Sequence, residues 1–247
     1  MIEIKELASG YGNKTVIDNV SASFEKGKLI SIIGPNGSGK STLLKTLNAI
    51  IPTISGEVTV DGETLSALRR SDIAKKIAYL SQDRNIPDMT VEQMVLHGRF
   101  PYLKYPRRYT EKDRKIVDLI MVHMNVSEYA ECSLKTLSGG MRQKVYIAMV
   151  LAQNTDYILL DEPTTYLDIS HQFELMQTLK ELTQEGKSII TVIHDLPLAF
   201  KFSDEIVVLS QGKIIAQDTP ENILASKTIK SVFNVELLDV YGGFKKI

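Results

Sequence analysis

Hydrophobic and polar positions alternate at the start of the chain. Residues 2–7 place apolar side chains at Ile2, Ile4 and Leu7 with charged residues between them, as a half-exposed strand does. Residues 16–24 again mix short apolar stretches with turn residues. The opening of the chain therefore predicts antiparallel strands.

Three later segments are apolar over most of their length and do not alternate. They cover residues 29–33, 157–160 and 188–193, and the last two are followed by Asp161 and His194. Mostly apolar runs without alternation are typical of strands that are buried on both faces of a parallel sheet. Because such sheets bind ligands at the carboxyl ends of their strands, the pattern predicts a site at that edge.

The middle of the chain changes to helical spacing. Apolar residues between 91 and 152 recur at intervals of three and four, and Thr110 followed by Asp113 is a helix-capping pattern. Strand patterns return at 205–209 and 213–216. The sequence predicts one α/β domain in two parts: a core with an antiparallel β subdomain, formed by residues 1–85 and 154–247, and an inserted α-helical subdomain, residues 86–153.

Composition limits the possible functions. Apolar residues make up 43% and charged residues 24% of the 247 residues, near the averages of globular domains. The formal net charge of −1 offers no basic excess for a nucleic-acid backbone, so no nucleic-acid partner is expected. The single cysteine, Cys132, excludes an internal disulfide framework. With neither a signal peptide nor a bilayer-spanning run, we expect a cytoplasmic protein that meets a membrane through a partner.

A glycine-rich segment follows the first buried run. GPNGSGKST, residues 34–42, matches G-x-x-x-x-G-K-[ST] between a predicted strand and a predicted helix. Its glycines allow backbone N–H groups to converge on a polyphosphate, Lys40 supplies a charge for the β- and γ-phosphates, and Ser41 supplies a hydroxyl ligand for Mg²⁺. The predicted ATP-binding residues here are Gly34, Pro35, Asn36, Gly37, Ser38, Gly39, Lys40, Ser41 and Thr42.

Two carboxylates follow the second buried run. Side chains alternate along a strand, so Asp161 and Glu162 point to different places. Asp161 can reach the Mg²⁺ site opposite Ser41, and Glu162 can face the γ-phosphate and the attacking water, which are the two tasks that ATP hydrolysis requires. His194, at the end of the third run, is predicted to contact the γ-phosphate as well.

A second anion-binding pattern precedes the helix that is predicted to reach Ala152. Leu137-Ser138-Gly139-Gly140-Met141 combines a hydroxyl, exposed N–H groups and a helix dipole. One ATP needs only one such cradle, so the second one predicts a contact with the ATP of another molecule. The alternative is a simple helix cap by Ser138.

With these motifs the sequence resembles the ABC ATPase family over essentially its whole length. LSGGM at 137–141 resembles the family signature LSGGQ, and its spacing from the phosphate loop and from ILLDEP at 158–163 fits the family order. The resemblance implies a P-loop NTPase fold with a RecA-like core. Met141 stands in place of the usual glutamine, so one polar contact to the partner's nucleotide is expected to be missing.

The resemblance also implies roles for single residues. Tyr11 would stack on adenine, Gln82 would contact Mg²⁺ and water, and Asp168 would lie in a loop that crosses a dimer interface. His194 would be the switch histidine of the family. Ser138, Gly139 and Gly140 would contact the phosphates of the partner's ATP.

A narrower resemblance concerns the subgroup that imports iron–siderophores, haem and cobalamin. It depends on EPTTYLDISHQ at 162–172, MTVE at 89–92 and LHGRFP at 96–101. It implies permease subunits that dock near residues 83–106 and an extracellular or periplasmic substrate-binding protein. The chain itself would be peripheral on the cytoplasmic face of the membrane.

The motifs together predict a mechanism in which two copies face each other head to tail. Each ATP lies between the Lys40 loop of one copy and Ser138–Gly140 of the other, and hydrolysis at Glu162 opens the pair. The alternatives are an exporter ATPase, an ABC ATPase of DNA repair or ribosomes, and another P-loop class such as a GTPase or small-molecule kinase. The sequence has neither a long heptad insertion before Ser138 nor a guanine-reading Asn-Lys-x-Asp segment.

Overall fold

The computed structural model describes residues 1–82 and 85–235. In chain order the strands are β1 (Ile2–Tyr11), β2 (Lys14–Phe24), β3 (Leu29–Ile33), β4 (Thr53–Val60), β5 (Glu63–Thr64), β6 (Ile77–Leu80), β7 (Tyr157–Asp161), β8 (Ser188–Val192), β9 (Glu205–Ser210) and β10 (Lys213–Asp218). The helices are α1 (Lys40–Leu47), α2 (Arg70–Lys76), α3 (Val91–His97), α4 (Glu111–His123), α5 (Gly139–Ala152), α6 (Ile169–Gln184), α7 (Leu196–Phe202), α8 (Pro220–Ala225) and α9 (Thr228–Phe233).

The strands form two sheets. β1, β2, β4 and β5 form an antiparallel sheet in the order β2-β1-β4-β5, which confirms the antiparallel opening. The larger sheet has the order β10-β9-β3-β8-β7-β6, with only β10 antiparallel to its neighbour. The predicted parallel sheet is confirmed, and β6 and β9 add two parallel strands to the three that the sequence predicted.

Strand β1 is longer than its alternating pattern suggested. Pairing with β2 shifts register between Ile4 and Leu7 and again before Ser9, and Glu6 has a positive φ of 48°. Such bulges break the two-residue repeat. The alternation therefore stops at Leu7, although the strand continues to Tyr11. This longer strand carries Tyr11 to the end of the larger sheet where ligands are expected to bind.

The parallel sheet is buried on both faces. In β3, Leu29 and Ile33 join a core cluster with the helical part of the chain, while Ile30 and Ile32 join a cluster with the antiparallel sheet and α1. This two-sided packing explains why the run is apolar apart from the buried Ser31. It also fixes the carboxyl end of β3, where the glycine-rich loop begins.

Helices α3, α4 and α5 lie within residues 86–153 and pack on one another. Thr110 and Asp113 form the predicted capping box, since the Thr110 hydroxyl accepts from the Asp113 N–H at 3.3 Å and the Asp113 carboxylate accepts from the Thr110 N–H at 2.9 Å. Asp113 also accepts from Arg99 Nε at 2.9 Å, and Arg99 donates to the carbonyl of Ala152 at 2.8 Å. This buried ion pair ties the helices together. Residues 83–84 of the proposed docking segment and 236–247 of the predicted core lie outside the described residues.

Candidate functional site

The glycine-rich loop curls between β3 and α1. Gly37 and Gly39 have φ values of 75° and 105°, which favour glycine because a side chain would be strained there. A Cβ on Gly39 would also lie 2.6 Å from Cδ1 of Ile17. The antiparallel sheet thus packs closely against the loop, and the loop leads directly into the first turn of α1.

Lys40 begins α1 and is nearly buried, with 5% of its surface exposed. Its Nζ donates to the carbonyl oxygens of Gly34 at 2.8 Å and Pro35 at 3.0 Å. Burial lowers the pKa of Lys40, and the nearby charges of Glu162 and Asp161 oppose that shift. A buried ammonium whose hydrogen-bond partners are two neutral carbonyls is well suited to receive an anionic ligand.

Asp161 ends β7 and is 2% exposed. Its carboxylate accepts from the Ser41 hydroxyl at 2.9 Å and from the Tyr79 hydroxyl at 3.2 Å. Burial raises the pKa of Asp161, and the hydrogen bonds from Ser41 and Tyr79 oppose that effect. The structure thus brings together Ser41 and Asp161, the pair predicted to organise Mg²⁺.

Glu162 is held at a bend with a positive φ of 50°. One carboxylate oxygen accepts from Gln82 Nε2 and from the Thr165 hydroxyl, the latter at 3.1 Å, and the other oxygen is hydrogen-bonded to His194 Nε2. The side chain is 11% exposed. Gln82 and His194, two residues with predicted catalytic roles, are therefore each in direct contact with a third, Glu162.

These groups line one cleft of about 740 Å³, a size typical of small-molecule sites. Of the predicted residues, Tyr11, Asn36, Gly37, Gly39, Lys40, Ser41, Thr42, Gln82, Glu162 and His194 line it. Gly34, Pro35, Ser38 and Asp161 are not among its lining residues, although Asp161 is hydrogen-bonded to Ser41, which is. Lys14 and Val16 line it without having been predicted, and no motif in their vicinity signals them.

The signature residues lie outside this cleft. Ser138 caps α5, its hydroxyl accepting from the Met141 N–H at 3.2 Å. Gly139 lines a separate cavity of about 350 Å³, together with Gln82 and Tyr166. The predicted helix cap is therefore present, and Ser138, Gly139 and Gly140 are not among the residues that line the chain's own phosphate-loop cleft.

Asp168 also lies outside the cleft, at the start of α6. Its carboxylate accepts from the backbone N–H of His171 at 2.9 Å and is 2.8 Å from His171 Nδ1. The backbone N–H, followed by the imidazole, lowers the pKa of Asp168 to about 2. Sequence reasoning assigned no role to His171, Thr165 or Tyr79. His171 and Thr165 lie in the segment 162–172 and bond residues three positions away, a contact that depends on the local bend of the chain. Tyr79 reaches Asp161 from a distant strand.

No group of three or more histidine, cysteine or acidic side chains that could hold a metal alone occurs in the described part of the chain. Over the same residues, no helix is long and apolar enough to cross a bilayer.

Comparison with known proteins adds four findings. Residues 17–165 match the family model described as "ABC transporter". The chain is 40% identical to the iron(3+)-hydroxamate import ATP-binding protein FhuC of Bacillus subtilis over 95% of this chain and 88% of that protein. It is 39% identical to the ferric enterobactin transport ATP-binding protein FepC of Escherichia coli, over 95% and 87% respectively. The dimeric structure of MJ0796, a bacterial ABC transporter cassette, superposes with a TM-score of 0.77 at 30% identity, covering 89% of this chain and 99% of that one.

Proposed function

This chain belongs to the ABC transporter family as an ATP-hydrolysing cassette, and we propose that it powers import of a siderophore, haem or cobalamin-type substrate through a separate permease. The match to a hydroxamate importer and to an enterobactin transporter over nearly the whole chain supports this substrate class. The segment 162–172, on which the narrower resemblance depends, supports it as well. The proposed location is the cytoplasmic face of the membrane, peripheral and bound to the permease.

The observation that carries the assignment of the nucleotide site is the convergence of three groups on one cleft. The buried Lys40 ammonium lines the cleft, as do Ser41, which is hydrogen-bonded to Asp161, and the Glu162–His194 pair. We propose that Lys40 binds the β- and γ-phosphates, that loop N–H groups surround them, and that Tyr11 stacks on the adenine at the open end.

The residues at this site fit a magnesium ion. Mg²⁺ prefers oxygen ligands and usually keeps several waters, with one or two ligands from protein and others from substrate phosphates. The Ser41 hydroxyl would hold it, with Asp161 and Gln82 beside it. Bound there, the ion would neutralise phosphate charge.

Glu162 is proposed to act on the attacking water. Its carboxylate is fixed by donors from Gln82 and Thr165, which leaves the group oriented in the cleft. A carboxylate so held can accept a proton from water while the water attacks the γ-phosphate. His194, now hydrogen-bonded to the same carboxylate, can donate from Nε2 to the γ-phosphate oxygen once ATP is present.

We propose that a second copy completes the site. ATP carries several negative charges that one cleft neutralises only in part, so a further set of donors gains from meeting it. Ser138, Gly139 and Gly140 form such a set and lie outside the chain's own cleft. Two copies arranged head to tail would place them against each other's ATP, and the dimeric cassette structure supports this assembly.

The test is transport in proteoliposomes that contain the chain and its cognate permease. Ferric hydroxamate, ferric catecholate, haem and cobalamin are offered in parallel on the side of the substrate-binding protein. We expect ATP-dependent uptake of one of them, lost in Lys40→Ala and kept in Lys112→Ala, which alters an exposed lysine on α4. Outward movement of substrate, or uptake that survives Lys40→Ala, would contradict the proposal.

A further inference from the structure

The imidazole of His171 lies between two segments that, on the proposed function, face the second copy. One is the signature loop at Gly140 and the other is the loop that ends at Asp168. We propose that His171 is a positioning residue that holds these two segments together as one partner-facing unit. The inference depends on the proposed head-to-tail dimer and adds to it a residue that joins its two partner-facing elements.

The contact with Asp168 is two-sided. His171 Nδ1 is 2.8 Å from both carboxylate oxygens, and the backbone N–H of His171 donates to the same carboxylate at 2.9 Å. Because a carboxylate only accepts, Nδ1 carries the proton of this hydrogen bond. The ring is thereby fixed in orientation, with its Cδ2–Nε2 edge directed away from Asp168.

That free edge lies against Gly140. A Cβ built on Gly140 would be 2.7 Å from Cδ2, 3.0 Å from Cγ and 3.0 Å from Nε2 of His171. Three ring atoms at similar distances mean that the ring covers the Cα of Gly140. The absence of a side chain at Gly140 is what allows this approach, so the glycine is needed for packing inside the chain as well as for any contact with ATP.

Neighbouring contacts make the unit firm. Gln172, the next residue, donates from Nε2 to the carbonyl oxygens of Thr164 at 3.3 Å and Leu167 at 3.0 Å. The carbonyl of Tyr166 lies 3.7 Å from the position of a Cβ on Gly139. The loop 164–168 is therefore bound to the start of α6 and rests on the signature loop.

The same loop reaches the catalytic carboxylate, since Thr165 donates to Glu162 at 3.1 Å. A continuous set of contacts thus runs from Gly140 through His171 and the Asp168 loop to Glu162. ATP bound by the partner copy that fixes the position of Gly140 would therefore also fix the loop 164–168, which contacts Glu162 in this chain's own cleft. We therefore expect His171 to affect dimer formation and cooperativity between the two ATP sites, and not the affinity of a single chain for nucleotide.

A purely structural role for His171, as part of the cap of α6, predicts different results. His171 is the third residue of the helix, and glutamine at that position completes a capping box, as Gln93 does with Thr90 in this chain. His171→Gln should therefore preserve the helix start but remove the ring from Gly140. His171→Phe keeps a flat ring but has no N–H for Asp168.

The experiment compares both variants in a Glu162→Gln background, so that bound Mg-ATP is not consumed. The readouts are the thermal unfolding temperature, the affinity of dilute monomer for a fluorescent ATP analogue, and the dimer dissociation constant by sedimentation with Mg-ATP. The matched control is His123→Gln, an exposed histidine at the end of α4.

We expect both His171 variants to keep the unfolding temperature and the monomer affinity and to weaken the dimer by about fivefold or more, the lower limit of typical coupling between sites. In an otherwise unchanged chain, the Hill coefficient for ATP hydrolysis should also fall towards one. Dimerisation as strong as that of the unaltered His171 protein, in either variant, would overturn the proposed link between Gly140 and Asp168. A weaker dimer would also overturn it if both variants showed an equally large loss of thermal stability. If the Glu162→Gln protein with His171 intact stayed monomeric with Mg-ATP, the head-to-tail dimer of the proposed function would be contradicted, and not the role of His171.

Discussion

Glu162→Gln tests the assignment of the catalytic carboxylate. The amide has nearly the same shape as the carboxylate, so its oxygen can still accept from Gln82 and Thr165. Its NH₂ then faces His194 Nε2, which accepts when the imidazole carries its proton on Nδ1. Because every partner can be kept, we expect the free energy of unfolding to change by less than about 1 kcal/mol.

The catalytic loss should be far larger. An amide cannot accept a proton from water, and general bases contribute about 10²- to 10⁴-fold to a rate. That range corresponds to about 3–5 kcal/mol of transition-state stabilisation. ATP binding should persist or strengthen, because one negative charge leaves a cleft that receives a polyphosphate.

Phosphate release at saturating Mg-ATP measures turnover, and thermal unfolding of the same samples measures stability. Glu185→Gln, at the exposed end of α6, makes the same chemical change away from the cleft and should hydrolyse ATP normally. Turnover by Glu162→Gln within about threefold of the unaltered protein, well below the effect of a general base, would refute the role of Glu162.

Three further predictions concern charge. Arg99→Met leaves Asp113 buried without its cation, so the free energy of unfolding should fall by about 3–5 kcal/mol in denaturant titrations. Because burial lowers the pKa of Lys40, ATP affinity should begin to fall, as pH rises, below about pH 10.4, the pKa of an ordinary lysine. Glu162→Gln removes a charge that raises this pKa, so the fall should move to lower pH. Burial of Asp61 favours its neutral form, but hydrogen bonds from the N-terminal amine and a tyrosine hydroxyl outweigh this and hold its pKa well below the usual range. The stability that Asp61 contributes should therefore be present at neutral pH and be lost as pH falls below about 4, which Asp61→Asn compared across pH would show.

Matched variants separate these effects from general changes in charge. Arg108→Met alters an exposed arginine and should leave stability unchanged. Asp118→Asn, on the exposed face of α4, should show no comparable acid dependence. An Arg99→Met protein as stable as Arg108→Met, or an ATP affinity independent of pH up to 10, would contradict the corresponding reasoning.

The features predicted from sequence are those encoded locally. Apart from Ser31, the run at 29–33 is apolar because both faces of β3 are buried. Thr110 with Asp113 forms a capping box that needs only four consecutive residues. The phosphate loop and the pair Asp161–Glu162 are likewise contiguous. Strand order then brought these segments together at one edge of the sheet, as the rule for parallel sheets predicts.

The features that were not predicted depend on distant pairing. β6 is only four residues long, so its short run did not stand out, and the Tyr79–Asp161 hydrogen bond could not be inferred without it. The bend at Glu162, which presents its carboxylate to Gln82 and Thr165, uses a positive φ at a residue that is not glycine. Nothing in the residue type signals such a bend. Helix α6 was also omitted, although its buried Leu175, Met176, Leu179 and Leu182 have helical spacing.

The central claim is that each ATP is held by parts of two copies. Lys40→Ala removes the phosphate-binding ammonium of the chain's own cleft. Gly139→Asp places a carboxylate in the signature cradle, where a side chain meets no atom closer than 3.7 Å and an acidic residue suits a helix start. Both variants should fold.

Each variant alone should lack ATP-dependent dimers and turnover. An equal mixture of the two forms some mixed dimers, each with one complete site built from the intact cleft of one chain and the intact signature of the other. ATP hydrolysis measured after mixing should therefore reappear, at most at about a quarter of the unaltered rate, because half of the dimers are mixed and each has one site of two. Full activity of Gly139→Asp on its own, or a mixture as inactive as its components, would contradict the shared site.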